Sequence, residues 1–278
     1  MAQYDNHPLV TIILPAYNAE ETITKTIQSV VDQSYSNWEL IIVDDGSTDG
    51  TCDVVRFFAE KEQRIKHHER DFPSGRPAVP RNHAIRLAKG ELIAFLDSDD
   101  IWLPRKIEKQ AALMVNCRDI ALSYVLNSRL YRNGTVNGEY PDPKFRYTGY
   151  AYEKFYLHNS IANSGVMVRK AVFDTIGLLD EDPKLAFVED ADMWLRIARE
   201  YPVDYVPGEI LLLYRVKQER LSIRQALLKI RGRMRIARKH YAHAGVMLFL
   251  RKMLTTPFRE SIGKRIPMPR VRKESVTL

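Results

Sequence analysis

Along the first hundred residues, apolar runs of strand length alternate with segments that are apolar every three or four positions. Leu9-Val10-Thr11-Ile12-Ile13-Leu14 reads as a buried strand ended by Pro15. Ala16-Tyr17-Asn18 follows as a loop, and Asn18 with Glu21 three residues later reads as a helix start of capping-box type. The helix covers about 19–33, with Ile23, Ile27, Val30 and Val31 on one face. Residues 38–43 form a second buried strand, followed by Asp44-Asp45-Gly46-Ser47-Thr48-Asp49. A second amphipathic helix over about 51–62 and a short strand over 65–68 come next. Two βα units in succession argue for a parallel, doubly wound sheet with right-handed crossovers. Pro73, Gly75, Pro77 and Pro80 make 70–80 a loop, 81–88 reads as a helix closed by Gly90, and 92–96 is the central strand.

The pattern then becomes mixed. A helix runs from Pro104 to about 116, a strand covers 120–124, and Asn133-Gly134 predicts a hairpin over 131–135. Residues 137–150 read as a loop able to cover a site, 164–169 as a strand and 171–176 as a short helix stopped by Gly177. A helix begins near Ala191, and 203–206 and 210–214 are short strands. Beyond Arg215, Leu227, Ile230, Met234, Ala237 and Tyr241 recur at three- and four-residue steps with Arg and Lys between them, a basic amphipathic helix. It reads either as packed on the body or as a membrane-surface element. Val246-Met247-Leu248-Phe249-Leu250 is too short to span a bilayer but suits its interface. The end, 267–278, reads as frayed.

Length narrows the picture to one large α/β domain with an appendage, divided here as 1–214 and 215–278. Charge sharpens that division. From Arg215 onward there are 18 Lys and Arg against 3 Asp and Glu, net +15, whereas 1–214 carry 24 against 32, net −8. Such a tail suits an anionic membrane, nucleic acid or an acidic partner. Cys52 and Cys117 have no CxxC spacing, which favours reduced thiols in a cytoplasmic protein. The first residues lack a signal-peptide pattern, and no apolar run reaches the roughly 18 residues of a spanning helix.

The chemistry gathers where strands end. Leu92-Ile93-Ala94-Phe95-Leu96 runs into Asp97-Ser98-Asp99-Asp100, three carboxylates at the C-terminal end of a strand, where open α/β sheets bind ligands. Crowded carboxylates repel unless a cation neutralises them, and Asp oxygens suit Mg²⁺ or Mn²⁺, whose shells substrate phosphates complete. The same residues also read as a cap for the next helix, Ser98 and Asp100 being good N-cap types. If the strands are parallel neighbours, Tyr17, able to stack on a base, and Asp45, able to accept a base N–H, share that rim. A dinucleotide fingerprint is absent from the first loop. Arg81 and Asn82 open a helix, where an arginine suits an anion. Glu189 and Asp190 form a second acidic cluster, either favouring a helix dipole or supplying a general base.

These pieces resemble family 2 glycosyltransferases, the nucleotide-sugar-dependent enzymes of the GT-A fold. The resemblance rests on Ile12 to Ala19, Ile41 to Asp49, Arg81-Asn82, Gly90 to Asp100 and Glu189-Asp190, in the family's order over about 1–200. It implies a Rossmann-like mixed sheet flanked by helices, with a nucleotide site lined by Pro15, Tyr17 and Glu20 and with Asp45 on the base. It further implies that Asp97-Ser98-Asp99 is the DXD motif, Asp97 near the ribose and Asp99 on Mn²⁺ or Mg²⁺. Arg81 would lie near the diphosphate, and Asp190, beside Glu189, would be the catalytic base of an inverting transfer. Pro80 stands where relatives often have Ala, and Val216-Lys217 stand where many carry a His; Lys217 can replace it on a phosphate as a point charge. The implied partners are a nucleoside-diphosphate sugar and a glycan or lipid-linked acceptor in bacterial surface polysaccharide synthesis, on the inner face of an anionic membrane. The competing readings are a sugar-nucleotide nucleotidyltransferase and a nucleic-acid-binding protein. The first lacks a Gly-rich basic loop after the first strand, and the second lacks a reader motif in the acidic body, so no nucleic acid partner is expected.

Overall fold

Strands apolar on both faces need cover on both faces, and helices supply it. The computed structural model describes residues 7–159, 161–216 and 223–262, with side chains left aside at 223–229 and 254–262. β1 (Val10–Ala16), β2 (Trp38–Asp44), β3 (Ile65–Glu69) and β4 (Leu92–Phe95) pair in parallel in the order β3-β2-β1-β4. Parallel neighbours need crossovers, and these are α1 (Glu20–Val31), α2 (Thr51–Lys61) and α3 (Ala78–Leu87). Ile12 and Leu14 of β1 pack with Ile23 and Ile27 of α1, while Ile13 faces the opposite layer with Ile85 of α3 and Phe95.

The rest of the chain extends the same sheet. In chain order come β5 (Ile101–Trp102), α4 (Lys106–Asn116), β6 (Leu122–Leu130), β7 (Val136–Tyr140), α5 (Tyr152–Leu157), β8 (Val166–Arg169) and α6 (Val172–Ile176). They are followed by α7 (Glu189–Glu200), β9 (Val203–Arg215), α8 (Ile223–Lys239) and α9 (Tyr241–Ile262). β8 is antiparallel to both β4 and β6, and the order continues β8-β6-β9-β5 with β7 hairpinned onto β6. The expected mixed α/β sheet flanked by helices is the one found.

Several local expectations are corrected. α3 starts at Ala78 rather than 81, because Pro80 sits in its first turn, where a missing N–H leaves no bond unmade. Asn18 caps nothing: α1 follows Ala19, whose N–H donates to Thr51 Oγ1 at 2.8 Å. The strand expected over 120–124 runs from Leu122 to Leu130, and part of the 137–150 loop is β7. The strands expected at 203–206 and 210–214 are one strand with its pairing to β6 shifted around Pro207-Gly208-Glu209, a bulge that keeps both halves on one partner. The very short β5 and α5 carry too little periodicity to have been foreseen.

The start of the tail packs on the body. Ile236 and Ala237 of α8 are buried in the large core cluster. Arg235 pairs with Asp182 at 2.8 Å, and Lys239 with Asp180 and Asp192 at 2.7 and 2.9 Å. A Cβ on Gly232 would stand 2.7 Å from Val188 Cγ2, so glycine lets α8 approach the residue before α7. Lys217 and the frayed end expected over 267–278 lie outside the described residues.

Candidate active site

The strand order puts the ends of β2, β1 and β4 side by side, with Ala16 opposite Asp44 and Ile13 opposite Phe95. The residues after them therefore leave the sheet at one rim. Pro15 is half-buried in β1, and Tyr17 is exposed just beyond it. Asn18, at φ 45, accepts Thr48 N–H at 2.9 Å, and Glu20 Oε2 accepts Gly50 N–H at 3.0 Å, so the loop after β2 is tied to the start of α1.

Asp44 and Asp45 divide. Asp44 builds the turn, accepting Ser47 N–H at 2.7 Å and Ser47 Oγ–H at 2.6 Å. Asp45 faces the 70–76 loop, accepting Ser74 N–H and Oγ–H at 3.0 and 2.6 Å and pairing with Arg70 at 2.9 Å. Gly46, at φ 76, permits that loop: a Cβ there would lie 2.8 Å from the Phe72 and Pro73 backbone.

The turn after β4 is anchored on three sides. Thr22 and Thr26 of α1 donate to Ser98 O at 2.9 and 3.1 Å. Ser164 Oγ accepts Asp97 N–H at 3.0 Å and donates to Asp100 Oδ2 at 2.5 Å. Arg215 donates its backbone N–H to Asp100 Oδ1 and its Nε–H to Asp99 O, both at 2.8 Å. The reading of this turn as a helix cap fails, since α4 begins only at Lys106. Burial, then the charges of Asp99 and Asp97, push the Asp100 carboxyl well above the usual range.

Arg81 joins this turn to the second acidic cluster. Its Nη2 donates to Asp97 Oδ1 at 2.7 Å and its Nη1 to Glu189 Oε1 at 2.5 Å. Burial alone would lower the guanidinium pKa, but Asp97, Glu189 and Asp190 outweigh it and raise it. Asp97 Oδ1 also accepts Asn163 Nδ2–H at 2.9 Å. Asn163 Oδ1, Arg81 Nε and Glu189 Oε2 are buried with no hydrogen-bond partner among the described residues. Glu189 and Asp190 open α7, preceded by an exposed Phe187 at φ 68. Burial and the neighbouring Glu189 charge push Asp190 up to about 7, against the opposing pull of Arg81. A carboxyl titrating there can take a proton at neutral pH.

Two places could hold a metal. The acidic turn offers hard carboxylate oxygens, with Asp100 raised by burial and then by Asp99 and Asp97, and an orphaned amide oxygen nearby on Asn163, a donor set that fits Mg²⁺ or Mn²⁺. Separately, Cys52, His67 and Glu69 bring ligand atoms within 4.8 Å of one another. There, Glu69 is already paired with Arg56 at 2.8 Å, and burial, then Asp44, push the Cys52 thiol up to about 11.

Asn163, Ser164 and Arg215 were not singled out from the sequence. Each reaches the turn because β8 and β9 return beside it, and the polar Asn163-Ser164 pair just before an apolar strand was the available signal.

Known proteins bear on this arrangement. The glycosyl transferase family 2 model matches residues 11–177. WfgD of Escherichia coli, a UDP-Glc:α-D-GlcNAc-diphosphoundecaprenol β-1,3-glucosyltransferase, is 34% identical over 215 residues, covering 77% of this chain and 79% of its own. TuaG of Bacillus subtilis (strain 168), named as a teichuronic acid biosynthesis glycosyltransferase, is 35% identical over 217 residues, covering 77% and 82%. The fold matches the mannosyltransferase PcManGT of Pyrobaculum calidifontis, solved with GDP-Man and Mn²⁺, at a TM-score of 0.66 and 18% identity over 94% of this chain and 72% of that one. The chain belongs to glycosyl transferase family 2 and is a glycosyltransferase of the GT-A fold.

Proposed function

We propose that this enzyme moves a sugar from a nucleoside diphosphate to the hydroxyl of a lipid-linked glycan, with inversion, in the assembly of a bacterial surface polysaccharide. The acceptor class follows the relatives' names, one acting on a diphosphoundecaprenol-linked sugar and one named for teichuronic acid. The observation that carries the chemistry is Asp190, held near neutrality and linked through Glu189 and Arg81 to the Asp97 turn. On this reading Pro15, Tyr17, Glu20 and Asp45 receive the nucleoside and Asp97 the ribose. Asp99 would hold Mn²⁺ or Mg²⁺, which when bound supplies Lewis-acid stabilisation of the leaving diphosphate. Arg81 adds positive charge beside that diphosphate and fixes the distance between the two acidic turns. Asp190 takes the acceptor proton as its oxygen attacks the anomeric carbon, and one displacement with one base inverts the centre. Residues 1–214 carry this chemistry, with Arg215 bracing the acidic turn, and the rest of 215–278 serves placement, at the inner face of the cell membrane. Among the described residues no helix is long and apolar enough to cross a membrane.

The test is a panel of nucleoside-diphosphate sugars with Mn²⁺, read by thermal shift, since a ligand of the folded state raises Tm. One member should stabilise the parent, and Asp99→Asn should abolish the metal-dependent part of that shift. A shift that is unchanged without Mn²⁺ and in Asp99→Asn removes the metal assignment.

A further inference from the structure

The two tail helices face different ways. α8 is ion-paired to α7 and to the loop before it. The chain then bends at Gly245, φ 76 and ψ 168, and α9 lays Leu248, Phe249 and Met253 on the core cluster. Its other edge stands in solvent. Val246, Met247 and Leu250 are 56, 81 and 51% exposed, on positions that share a helix face. Val246 and Leu250, with Arg238, Tyr241 and Phe249, line an open groove of about 420 Å³.

Charge says what suits this edge. Residues 230–253 hold seven Lys and Arg and no Asp or Glu. Arg235 and Lys239 are spent on acids of the body, and Lys252 lies over the Tyr156 ring. Arg238, exposed, stands at the groove. An apolar edge flanked by cations and free of acids complements a surface that is anionic outside and apolar within.

We propose that this edge of α9 docks on an anionic lipid bilayer, with Val246, Met247 and Leu250 entering the interface and Arg238 among the lipid phosphates. The proposal rests on the lipid-linked acceptor proposed above. α5 packs against both α7 and α9, so the docked edge keeps a fixed distance to Asp190. The enzyme would thus meet a membrane-borne acceptor in one orientation.

The experiment is co-sedimentation of the full chain with phosphatidylglycerol-containing and pure phosphatidylcholine vesicles, at low and high salt. The parent should bind the anionic vesicles, less at high salt. Val246→Asp with Met247→Asp should lower that binding about tenfold or more, because two side chains lose their apolar transfer. The variant's Tm and its turnover on a water-soluble acceptor should stay at parental values. Trp38, Trp102 and Trp194 are all buried, so a Met247→Trp reporter should blue-shift on adding anionic vesicles. Unchanged binding by the double variant, an unshifted reporter, or a parent that is a dimer which the double variant dissolves would each overturn docking; the last would make this edge a contact between copies. Transfer to a soluble acceptor without vesicle binding removes docking alone, and vesicle binding without transfer removes the reaction alone.

Discussion

Asp97-Ser98-Asp99-Asp100 and Glu189-Asp190-Ala191-Asp192 look alike as strings, each with three acids in four residues. Their surroundings make them different devices. At the first turn the carboxylates are held mostly by neutral donors, Asn163 Nδ2–H on Asp97 and Ser164 Oγ–H and the Arg215 backbone N–H on Asp100, with the Arg81 guanidinium also on Asp97. Burial first, and then the charges of Asp99 and Asp97, raise Asp100 there. At the second turn the repulsion is sorted. Asp190 is pushed up to about 7 by burial and Glu189. Two residues on, burial alone would raise Asp192, but bonds from His240 and Lys239 and the Arg196 charge outweigh it and hold it at about 2. One helix thus carries a carboxyl raised to about 7 and, two residues on, a carboxylate held ionised by its partners. Environments that drive like residues apart mark acid–base roles.

The strongest way to break this contrast is Asp190→Asn, expected to lower turnover by roughly 10²–10⁴-fold while donor-induced thermal shifts persist. In the parent, kcat/KM should rise about tenfold per pH unit up to about 7 and then level, as the base loses its proton. A flat profile across that range, or parental turnover in the variant, removes the base assignment.

Arg81→Met is expected to destabilise the fold by about 3–5 kcal/mol in chemical denaturation, because it leaves two carboxylates without their buried counter-charge. Arg81→Lys should recover only part of that, a point charge being unable to span Asp97 and Glu189 together. A loss under about 1 kcal/mol in Arg81→Met would show that the two turns hold their places without the bridge.

A smaller effect separates Asp192 from its neighbour. His240→Ala removes one of three donors to a fully buried carboxylate, with His240 Nε2 3.0 Å away, and is expected to lower stability by about 1–3 kcal/mol with turnover nearly unchanged. A collapse of turnover at unchanged stability would give the tail a catalytic part instead.

The smallest effect has a sign worth measuring. Asp190 has a raised pKa, so the folded state binds more protons than the unfolded state between about pH 4 and 7, and ionising it erodes stability as pH rises through that window. The Tm of Asp190→Asn relative to the parent should therefore increase from pH 4 to 8. A difference that is constant with pH would place Asp190 in an ordinary solvated setting.

Much of the rim formed by β2, β1 and β4 was legible. Apolar runs ending in Asp44-Asp45 and in Asp97 to Asp100 place those acids at strand ends, and parallel neighbours put strand ends at one rim. The α3 start was misread because four prolines and glycines in a row of loop signals outweighed the tolerance of a first helical turn for Pro80. The link to Glu189-Asp190 was less legible. Arg81 and Glu189 are 108 positions apart, and nothing periodic in the chain announces their contact. Ser164 and Arg215 reach the acidic turn only because antiparallel β8 and long β9 return beside β4 and β5.

Sequence by itself determined most of the longer strands and helices, that acids cluster at their ends, and that the tail is basic. Those properties are local, since side-chain period and chain stereochemistry set them within a few residues. Only the tertiary structure decided that Asp190 sits near neutrality while Asp192 stays ionised, and that one arginine joins the two acidic turns. Protonation depends on charges and donors that approach through space, and on how much water the packed chain leaves between them.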